Sequence, residues 1–314
     1  MTAERVAAPA GRRTGTYWQC ALTVAVLAAA AWLAHRHWAT VQTGAARLVD
    51  ADRGWLLAGA AGTCGTWLCA ALALQGAVVP RLPPRPLVAT QFAACAANQV
   101  LPAGLGAGAV NLRFLIRRGL PAGRAVTALA VKSTAGALAR GALIAVLAAC
   151  CPGLLRVPPG WGGWALLAAP AAAAAIVLAV RRLPRARRML TVLLADVRDV
   201  HARPRRAAAL WGGSLAFAAL HAAVLVAVTR AVALPLPAPE VALLYLAASG
   251  AAALLPTPGG IGSLDAALTL ALTTTGTPAA TAASAVLGYR LLTVWLPLLP
   301  GLLVLTLLIR RRAL

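Results

Sequence analysis

An acidic and a basic side chain stand inside two long apolar segments of this sequence. Asp265 follows a run of prolines and glycines from Leu255 to Gly262, and Arg290 lies beside Tyr289 near the middle of the last apolar segment. A charge at the centre of a membrane helix costs about 2.5–3.5 kcal/mol on insertion scales, so such residues normally face a partner or an interior cavity. We predict that Arg290 pairs with Asp265 or binds a lipid phosphate. Asp265 is expected about one turn into a helix whose N-terminal amides stabilise it.

Two further cations lie in an earlier apolar segment. Lys132 and Arg140 are eight residues apart, which places them on similar faces of one helix. They offer a second cationic surface. The alternative for each of these charges is structural, either a buried ion pair or a long side chain that reaches the membrane surface.

Helix breakers are concentrated at two points in the sequence. Pro256 and Pro258 stand with three glycines within seven residues, and an earlier break runs from Leu101 to Gly106. Glycines let membrane helices pack closely, but at a helix N-terminus they also expose backbone amides to an anionic group. Because close packing would not need the prolines, we favour an amide cradle for an anionic head group. Asn98, Gln99 and Asn111 are its polar companions near the first break. The predicted binding residues are Asn98, Gly104, Gly106, Lys132, Pro258, Gly259, Gly260, Gly262, Asp265, Tyr289 and Arg290.

The composition indicates that lipid, rather than water, surrounds most of the fold. Hydrophobic residues make up 61% of the sequence, charged residues 11%, and the mean hydropathy is +0.80. Apolar runs of about 18 or more residues recur, which predicts an all-α polytopic integral membrane protein. The net charge of +22 comes mainly from arginines in short segments between the apolar runs. That pattern suits contact with anionic lipid, and the lack of a basic module rich in aromatic residues argues against nucleic-acid binding.

The cysteines, histidines and N-terminus give no sign of a metal, a cofactor or a cleaved leader. The six cysteines lie in or beside apolar runs, with no Cys-x-x-Cys pair and no histidine at metal-binding spacing, so we expect no metal and no other cofactor. No Gly-x-x-x-x-Gly-Lys-Ser/Thr motif is present, which argues against ATP hydrolysis. The first apolar run leads to His35, Arg36 and His37 rather than to a cleavage site, and we interpret it as an uncleaved helix.

Six segments are long enough to cross roughly 30 Å of hydrocarbon. They lie near residues 17–34, 54–79, 124–150, 163–180, 207–233 and 279–309. Two further stretches are short and interrupted: 87–101 breaks and resumes to Ile116, and 241–255 breaks and resumes to Thr275. We predict about six full transmembrane helices plus two broken or re-entrant helical hairpins.

The basic segments constrain the topology, because Arg and Lys prefer the cytoplasmic side of short loops. All five basic segments, including the loop 181–206, fall on that side if each broken hairpin returns to the side it entered. Both termini then lie in the cytoplasm, and residues 1–16 form a tail before a single transmembrane domain over 17–312. Two full crossings at either break would also return the chain to the side it entered from, so eight or ten spans fit the rule equally well.

The two broken stretches resemble each other. A Leu-Pro pair followed by Gly-x-Gly occurs within 101–106 and again within 255–262, and Gly-x-Pro-Ala occurs at 119–122 and 276–279. Each Gly-x-Pro-Ala begins a small-residue helix with one buried cation, Lys132 or Arg290. We interpret 87–150 and 241–309 as an internal repeat, inverted because the two hairpins enter from opposite sides. The alternative is chance, since Gly, Pro and Ala are abundant throughout.

With these motifs the chain resembles the lysylphosphatidylglycerol synthase transmembrane region, also called the flippase-like membrane domain. The resemblance rests on Pro-Gly-Gly-Ile-Gly at 258–262, the acid after it, Arg290, and the earlier break with its Arg-rich continuation, and it extends from about Tyr17 to Arg312. It implies a bacterial inner-membrane protein that binds an anionic or aminoacylated phospholipid, or a polyprenyl-linked lipid, and helps to move it between leaflets. The acid in this family is usually Glu, so Asp265 is a shorter substitute.

Bifunctional relatives carry a soluble aminoacyl-transfer domain after the membrane part. This chain ends at Leu314, directly after its last helix, so we expect no enzyme activity of that kind. The partners implied are membrane lipids, with a homo-oligomer or an envelope-biosynthesis partner as further options.

Two other functions compete with lipid movement. A membrane-embedded transferase acting on a lipid-linked substrate commonly needs two carboxylates, a paired histidine or a metal. Asp265 is the one acid clearly placed in an apolar core, and His221, alone on an apolar helix, is expected to be structural. The third interpretation is an accessory subunit of cell-envelope assembly, which would require an obligatory partner protein.

Overall fold

The structure is a computed structural model that describes residues 46, 48–100, 105–150, 198, 201–253 and 262–310. The regular elements in these ranges are all helical. The predicted tail 1–16, the predicted spans 17–34 and 163–180, and most of the basic loop 181–206 lie outside the described residues. Residues 101–104 and 254–261, at the centres of the two breaks, also lie outside them.

Four helical segments in the described ranges are long and apolar enough to cross a membrane. They are α1 (Arg53–Ala77), α4 (Ala122–Cys150), α5 (Pro204–Ala231) and a last segment, Ala279–Arg310. The shortest, α1, has 25 residues, which extend about 38 Å at 1.5 Å per residue. The predicted spans 54–79, 124–150, 207–233 and 279–309 are therefore confirmed, and the chain is a multi-pass, all-α membrane protein.

Each broken stretch consists of two helices that are short for a bilayer crossing. α2 (Pro84–Val100) and α3 (Leu105–Arg117) lie on either side of the first break, and α6 (Ala238–Ala252) and α7 (Ser263–Thr273) on either side of the second. The longest of the four, α2, has 17 residues. The predicted short helices are therefore confirmed on both sides of each break. The centres of the breaks lie outside the described residues, and the return of each pair to one side of the membrane stays a prediction.

The last apolar segment changes its winding immediately after Arg290. α8 (Ala279–Arg290) passes into a π-helical turn, Leu291–Trp295, and then into α9 (Leu296–Arg310). Pro297 has no backbone N–H, and its ring would clash with the carbonyl four residues earlier, so the preceding turn widens. The wide turn separates the helix that carries Arg290 from the apolar end of the segment.

The described elements occur twice in the same order. In the first half α1 is followed by the pair α2 and α3, a turn at Gly119, and α4; in the second half α5 is followed by α6 and α7, a turn at Gly276, and α8. The φ angles of Gly119 and Gly276 are +87° and +85°. Glycine adopts such angles without the steric cost that a Cβ imposes. The similarity between 87–150 and 241–309 thus corresponds to a repeated order of elements.

α1 and α5, the first described helices of the two halves, pack against each other in antiparallel directions. Glycines permit this close contact: a Cβ at Gly213 would lie 2.6 Å from the Ala73 nitrogen, and one at Gly76 would overlap the Leu210 backbone. Other helices of the two halves also pack against each other: α2 of the first half contacts α9 of the second, and α4 of the first contacts α6 of the second. This packing brings polar side chains from both halves into one interior.

Candidate functional site

Arg290 and Asp265 form an ion pair between α8 and α7. Arg290 Nε donates to Asp265 Oδ1 at 2.5 Å, and the two side chains are 7% and 33% exposed. From the sequence, Arg290 is expected either to pair with Asp265 or to bind a lipid phosphate, and the structure shows the pairing. The pair lies at the N-terminal end of α7, where the chain leaves the second break.

The start of α7 explains how Asp265 is positioned. Gly262 is the N-cap residue, with φ of +84°, and its N–H donates to Asp265 Oδ2 at 2.9 Å. Asp265 is the third residue of the helix, where a carboxylate also interacts favourably with the helix dipole. One carboxylate oxygen therefore binds the backbone while the other binds Arg290. Because the Gly262 amide is engaged by Asp265, it does not contribute to an anion cradle in this arrangement.

A chain of hydrogen bonds in the interior starts at Tyr289, the residue beside Arg290. The Tyr289 hydroxyl donates to the Tyr245 hydroxyl of α6 at 2.9 Å and lies 3.1 Å from Nδ1 of His221 on α5. The His221 ring is nearly parallel to that of Tyr245, with centroids 6.2 Å apart. His221, which the sequence places alone on its helix, therefore has a hydrogen-bond partner. These contacts link α5, α6 and α8 through one cluster of polar side chains.

Arg140 brings a second guanidinium to the same region. It is half-buried on α4 and lies within electrostatic range of His221 and Tyr245, and Arg290 lies within range of Tyr245 as well. No carboxylate in the described part of the chain pairs with Arg140, whereas Arg290 shares Asp265. Two cations thus lie within electrostatic range of the same buried hydroxyl, and one of them, Arg290, is paired with Asp265. Among the described residues this leaves a formal excess of one positive charge. Such an excess in an apolar interior is costly unless an anion balances it.

The first half contains a network of its own around Lys132. Lys132 Nζ donates to Gln91 Oε1 at 3.1 Å, which links α4 to α2. Gln91 Nε2 in turn donates to Asn111 Oδ1 of α3 at 2.7 Å, and both amide side chains are buried. The partner of Lys132 is an amide rather than a carboxylate, so the formal charge of the ammonium is not neutralised by this contact.

The two networks occupy matching positions in the repeat. Gln91 and Tyr245 are each the eighth residue of the first short helix in their half. Lys132 and Tyr289 are each the eleventh residue of the helix that follows the glycine turn. The bond between Lys132 and Gln91 therefore corresponds to the bond between Tyr289 and Tyr245. From the Gly-x-Pro-Ala motifs, Lys132 is expected to correspond to Arg290, whereas the structure matches its position with that of Tyr289. An alignment of the short helices with each other indicates Gln91 and Tyr245, which the motifs do not.

The other predicted binding residues lie at the first break or outside the described ranges. Gly106 approaches the α2 backbone at Ala97 and Asn98 so closely that a Cβ would overlap it, which is a packing contact between α3 and α2. Asn98 Oδ1 and Gln99 Oε1 are buried acceptors for which the described residues provide no donor. The following predicted residues lie outside the described residues, and their roles stay predictions: Gly104, Pro258, Gly259 and Gly260.

The arrangement in the second half is suited to binding an anion. A guanidinium presents several N–H donors in a fixed plane and binds phosphate oxygens in pairs. Asp265 is held by the Gly262 amide and by Arg290, so it is oriented as a partner of Arg290 and not as a base facing an open space. The site therefore combines two guanidiniums with buried hydroxyls that can donate or accept hydrogen bonds.

Comparison with known families gives a match over nearly the whole chain. The family described as "Lysylphosphatidylglycerol synthase TM region" matches residues 19–301. The matched range contains both broken pairs, the Lys132 network and the pair of Asp265 and Arg290. Comparison with curated proteins gave no match.

Proposed function

Because this chain belongs to the lysylphosphatidylglycerol synthase transmembrane-region family, a phospholipid-related family of membrane domains, we propose that it is a lipid translocator. It binds an anionic or aminoacylated phospholipid, or a polyprenyl-linked lipid, and moves it between the two leaflets. We place it in a bacterial inner membrane, as the family resemblance implies. Both termini are assigned to the cytoplasm, as the distribution of arginines favours. The proposal assigns no covalent chemistry to the chain.

The excess of positive charge around Tyr245 carries this proposal. Arg140 and Arg290, which belong to the two halves of the molecule, both lie within electrostatic range of Tyr245, and Asp265 pairs with Arg290. A phosphodiester carries one negative charge, which matches the formal excess. Charge-assisted hydrogen bonds from guanidinium to phosphate are among the stronger contacts that a protein makes. A lipid head group therefore suits the site in both charge and geometry.

Lys132 provides a second cationic position for the same head group. It lies eight residues before Arg140 on α4, about 12 Å along the helix axis. Its ammonium contacts the first broken pair through Gln91, whereas Arg140 lies within electrostatic range of Tyr245 on α6 of the second broken pair. One helix thus offers a cation to each half. In the proposed movement the head group passes between these positions while the acyl chains stay in the bilayer.

Asp265 has two roles in this scheme. It keeps the Arg290 guanidinium in place, because one of its oxygens is anchored to the backbone at Gly262. It is also a carboxylate at the binding site, and its side chain is one-third exposed. An amine on an aminoacylated head group would be attracted to it, while a phosphate would be held by the guanidiniums.

Lipid movement in reconstituted vesicles tests the proposal. Liposomes with the purified protein contain fluorescent phosphatidylglycerol, a fluorescent polyprenyl phosphate or fluorescent phosphatidylcholine, and external dithionite reports how fast inner-leaflet label reaches the outside. We expect faster exposure of at least one anionic lipid than in protein-free vesicles, with little effect on zwitterionic phosphatidylcholine. Arg290→Ala is expected to abolish the acceleration.

Two controls separate the site from general effects. Arg117→Ala removes an exposed cation at the end of α3 and should move lipid at the wild-type rate. The double variant Asp265→Asn/Arg290→Ala avoids leaving a carboxylate without its partner. Wild-type movement in folded Arg290→Ala would exclude Arg290 from the mechanism. No acceleration with any lipid would contradict the proposed function and favour a transferase or an accessory subunit.

A further inference from the structure

We propose that His221 is a proton-binding site coupled to the head-group site. The ring takes up one proton when an anionic head group occupies the position beside Arg140 and Arg290, and it releases the proton when the head group leaves. Lipid movement then follows a proton gradient. The inference rests on the proposed function and adds a source of energy to it.

The geometry places His221 at one end of the hydrogen-bond chain. Its Nδ1 lies 3.1 Å from the Tyr289 hydroxyl, and that hydroxyl donates to Tyr245 at 2.9 Å. Phe217, one turn earlier on α5, contacts the imidazole in a T-shaped arrangement with centroids 4.7 Å apart. The ring is thus held by its hydrogen bond with Tyr289 and by ring contacts with Phe217, Tyr245 and Tyr289. None of these contacts requires a positive charge on the ring.

The hydrogen-bond directions indicate where the proton binds. Since Tyr289 donates to Tyr245, its oxygen accepts from Nδ1–H of His221. The neutral ring then carries its proton on Nδ1 and a lone pair on Nε2. A proton that binds Nε2 forms one N–H bond and breaks none, and the ring charge rises from zero to +1. Release of the same proton restores the starting state, with no other reactant consumed.

Ionisable groups face this region from the elements packed on α5. α4 contributes Arg140, α6 contributes Tyr245, and α8 contributes Tyr289 followed by Arg290. On α1, the residues opposite this part of α5 are Gly62 and Gly65, which pack on Val224 and Leu220. Cys64, between them in the sequence, is exposed. No carboxylate of the described residues contacts His221. Among the described residues, the formal charge that acts on the ring is the positive charge of Arg140.

The charge of Arg140 provides the coupling. α4 packs on α5, and Arg140 lies within electrostatic range of His221, so the guanidinium and a protonated ring repel each other in a medium of low dielectric constant. A phosphate bound at Arg140 cancels that repulsion and makes proton uptake favourable. By linkage, a protonated His221 strengthens the binding of the phosphate by the same factor. Proton and lipid anion therefore bind and leave together.

The stoichiometry gives a quantitative expectation. One proton and one phosphodiester anion form a neutral combination, so a pH gradient drives the movement and a membrane potential does not. At full coupling, one pH unit corresponds to about a tenfold ratio of the lipid between the two leaflets at steady state. The lipid accumulates in the leaflet that faces the more alkaline solution, because the proton is released there.

Gradient-driven redistribution of fluorescent phosphatidylglycerol in proteoliposomes tests this inference. Vesicles are prepared with a gradient of one pH unit in either direction, with equal pH, and with a protonophore, and the label in each leaflet is measured at steady state. We expect the wild-type protein to concentrate label in the alkaline-facing leaflet, toward the tenfold limit, and a lumenal pH dye to report proton movement with the lipid. His221→Asn keeps an N–H near the position of Nδ1 for Tyr289 but does not titrate, so its leaflet ratio is expected to stay at one.

The outcomes distinguish the inference from the proposed function. Movement by the wild-type protein that does not respond to the gradient would overturn the proton coupling and leave lipid translocation standing. A gradient response in His221→Asn equal to that of the wild type would show that His221 has only a structural role. If His221→Asn does not fold, His221→Gln replaces it, with its amide near the position of Nε2. Absence of movement under every gradient would overturn both proposals.

Discussion

Replacing Asp265 with Asn is expected to destabilise the protein more than replacing Arg290 with Met. Asn keeps the size of the side chain and an acceptor for the Gly262 amide, but it leaves the Arg290 guanidinium, 7% exposed, without its carboxylate. In Arg290→Met the remaining carboxylate is 33% exposed and keeps the Gly262 N–H. The more deeply buried charge suffers the larger loss when its partner is removed.

The exposure of the two side chains sets the magnitudes. Breaking a fully buried pair costs about 3–5 kcal/mol, whereas exposed pairs contribute about 0–1 kcal/mol. Since Asp265 is partly exposed, we expect a cost of about 2–3 kcal/mol for Asp265→Asn and about 1–2 kcal/mol for Arg290→Met. The double variant Asp265→Asn/Arg290→Met should cost about 1–2 kcal/mol less than the sum of the two single variants, because the ion pair is then removed as a whole.

The free energy of unfolding in mixed micelles, followed by tryptophan fluorescence during a denaturant titration, measures these values. Asp52→Asn is the matched control, since it makes the same chemical change at the exposed N-cap of α1, where Asn caps about as well as Asp. Additive costs in the double variant would refute the pairing. A larger loss for Arg290→Met than for Asp265→Asn would refute the argument from burial.

Two further changes test the contacts of the first half. Gly106→Ala is expected to lower stability by about 1–3 kcal/mol, because the added Cβ overlaps the Ala97 carbonyl; Gly108→Ala, with nothing within 4 Å of the new carbon, should be neutral or stabilising, and thermal unfolding of the two variants compares them. Gln91→Leu removes the acceptor of Lys132 and is expected to cost about 1–3 kcal/mol, part of which Lys132→Met should restore. Wild-type unfolding of Gln91→Leu would contradict the described network.

The sequence was sufficient to predict the described spans and both broken pairs. Length and hydropathy alone identify a segment such as Ala122–Cys150 as a membrane helix. Prolines and glycines mark the breaks because they remove a backbone donor or favour non-helical angles. The Gly-x-Pro-Ala motifs also predicted the repeat, and the structure places a positive-φ glycine at Gly119 and at Gly276.

The polar networks could not be predicted in the same way. The helices that carry them are rich in alanine and apolar on most sides, so their residue pattern does not indicate which face points inward. Tyr245 and Tyr289 are 44 residues apart, and Gln91 and Lys132 are 41 apart. Only the packing of the helices brings each pair together. Helical spacing groups Arg140 with Lys132, whereas in the structure Arg140 lies within electrostatic range of His221 on α5 and Tyr245 on α6.

The rate of phosphatidylglycerol movement by Arg140→Gln tests the central claim most directly, because Arg140 is the cation that the described acids leave unbalanced. No ion pair with a described residue is broken in this variant, so its unfolding should match that of the wild type. Losing one charge-assisted contact of about 1.5–3 kcal/mol should slow the movement by about ten- to a hundredfold. Movement at the wild-type rate by folded Arg140→Gln would contradict the claim that excess buried positive charge recruits the lipid head group.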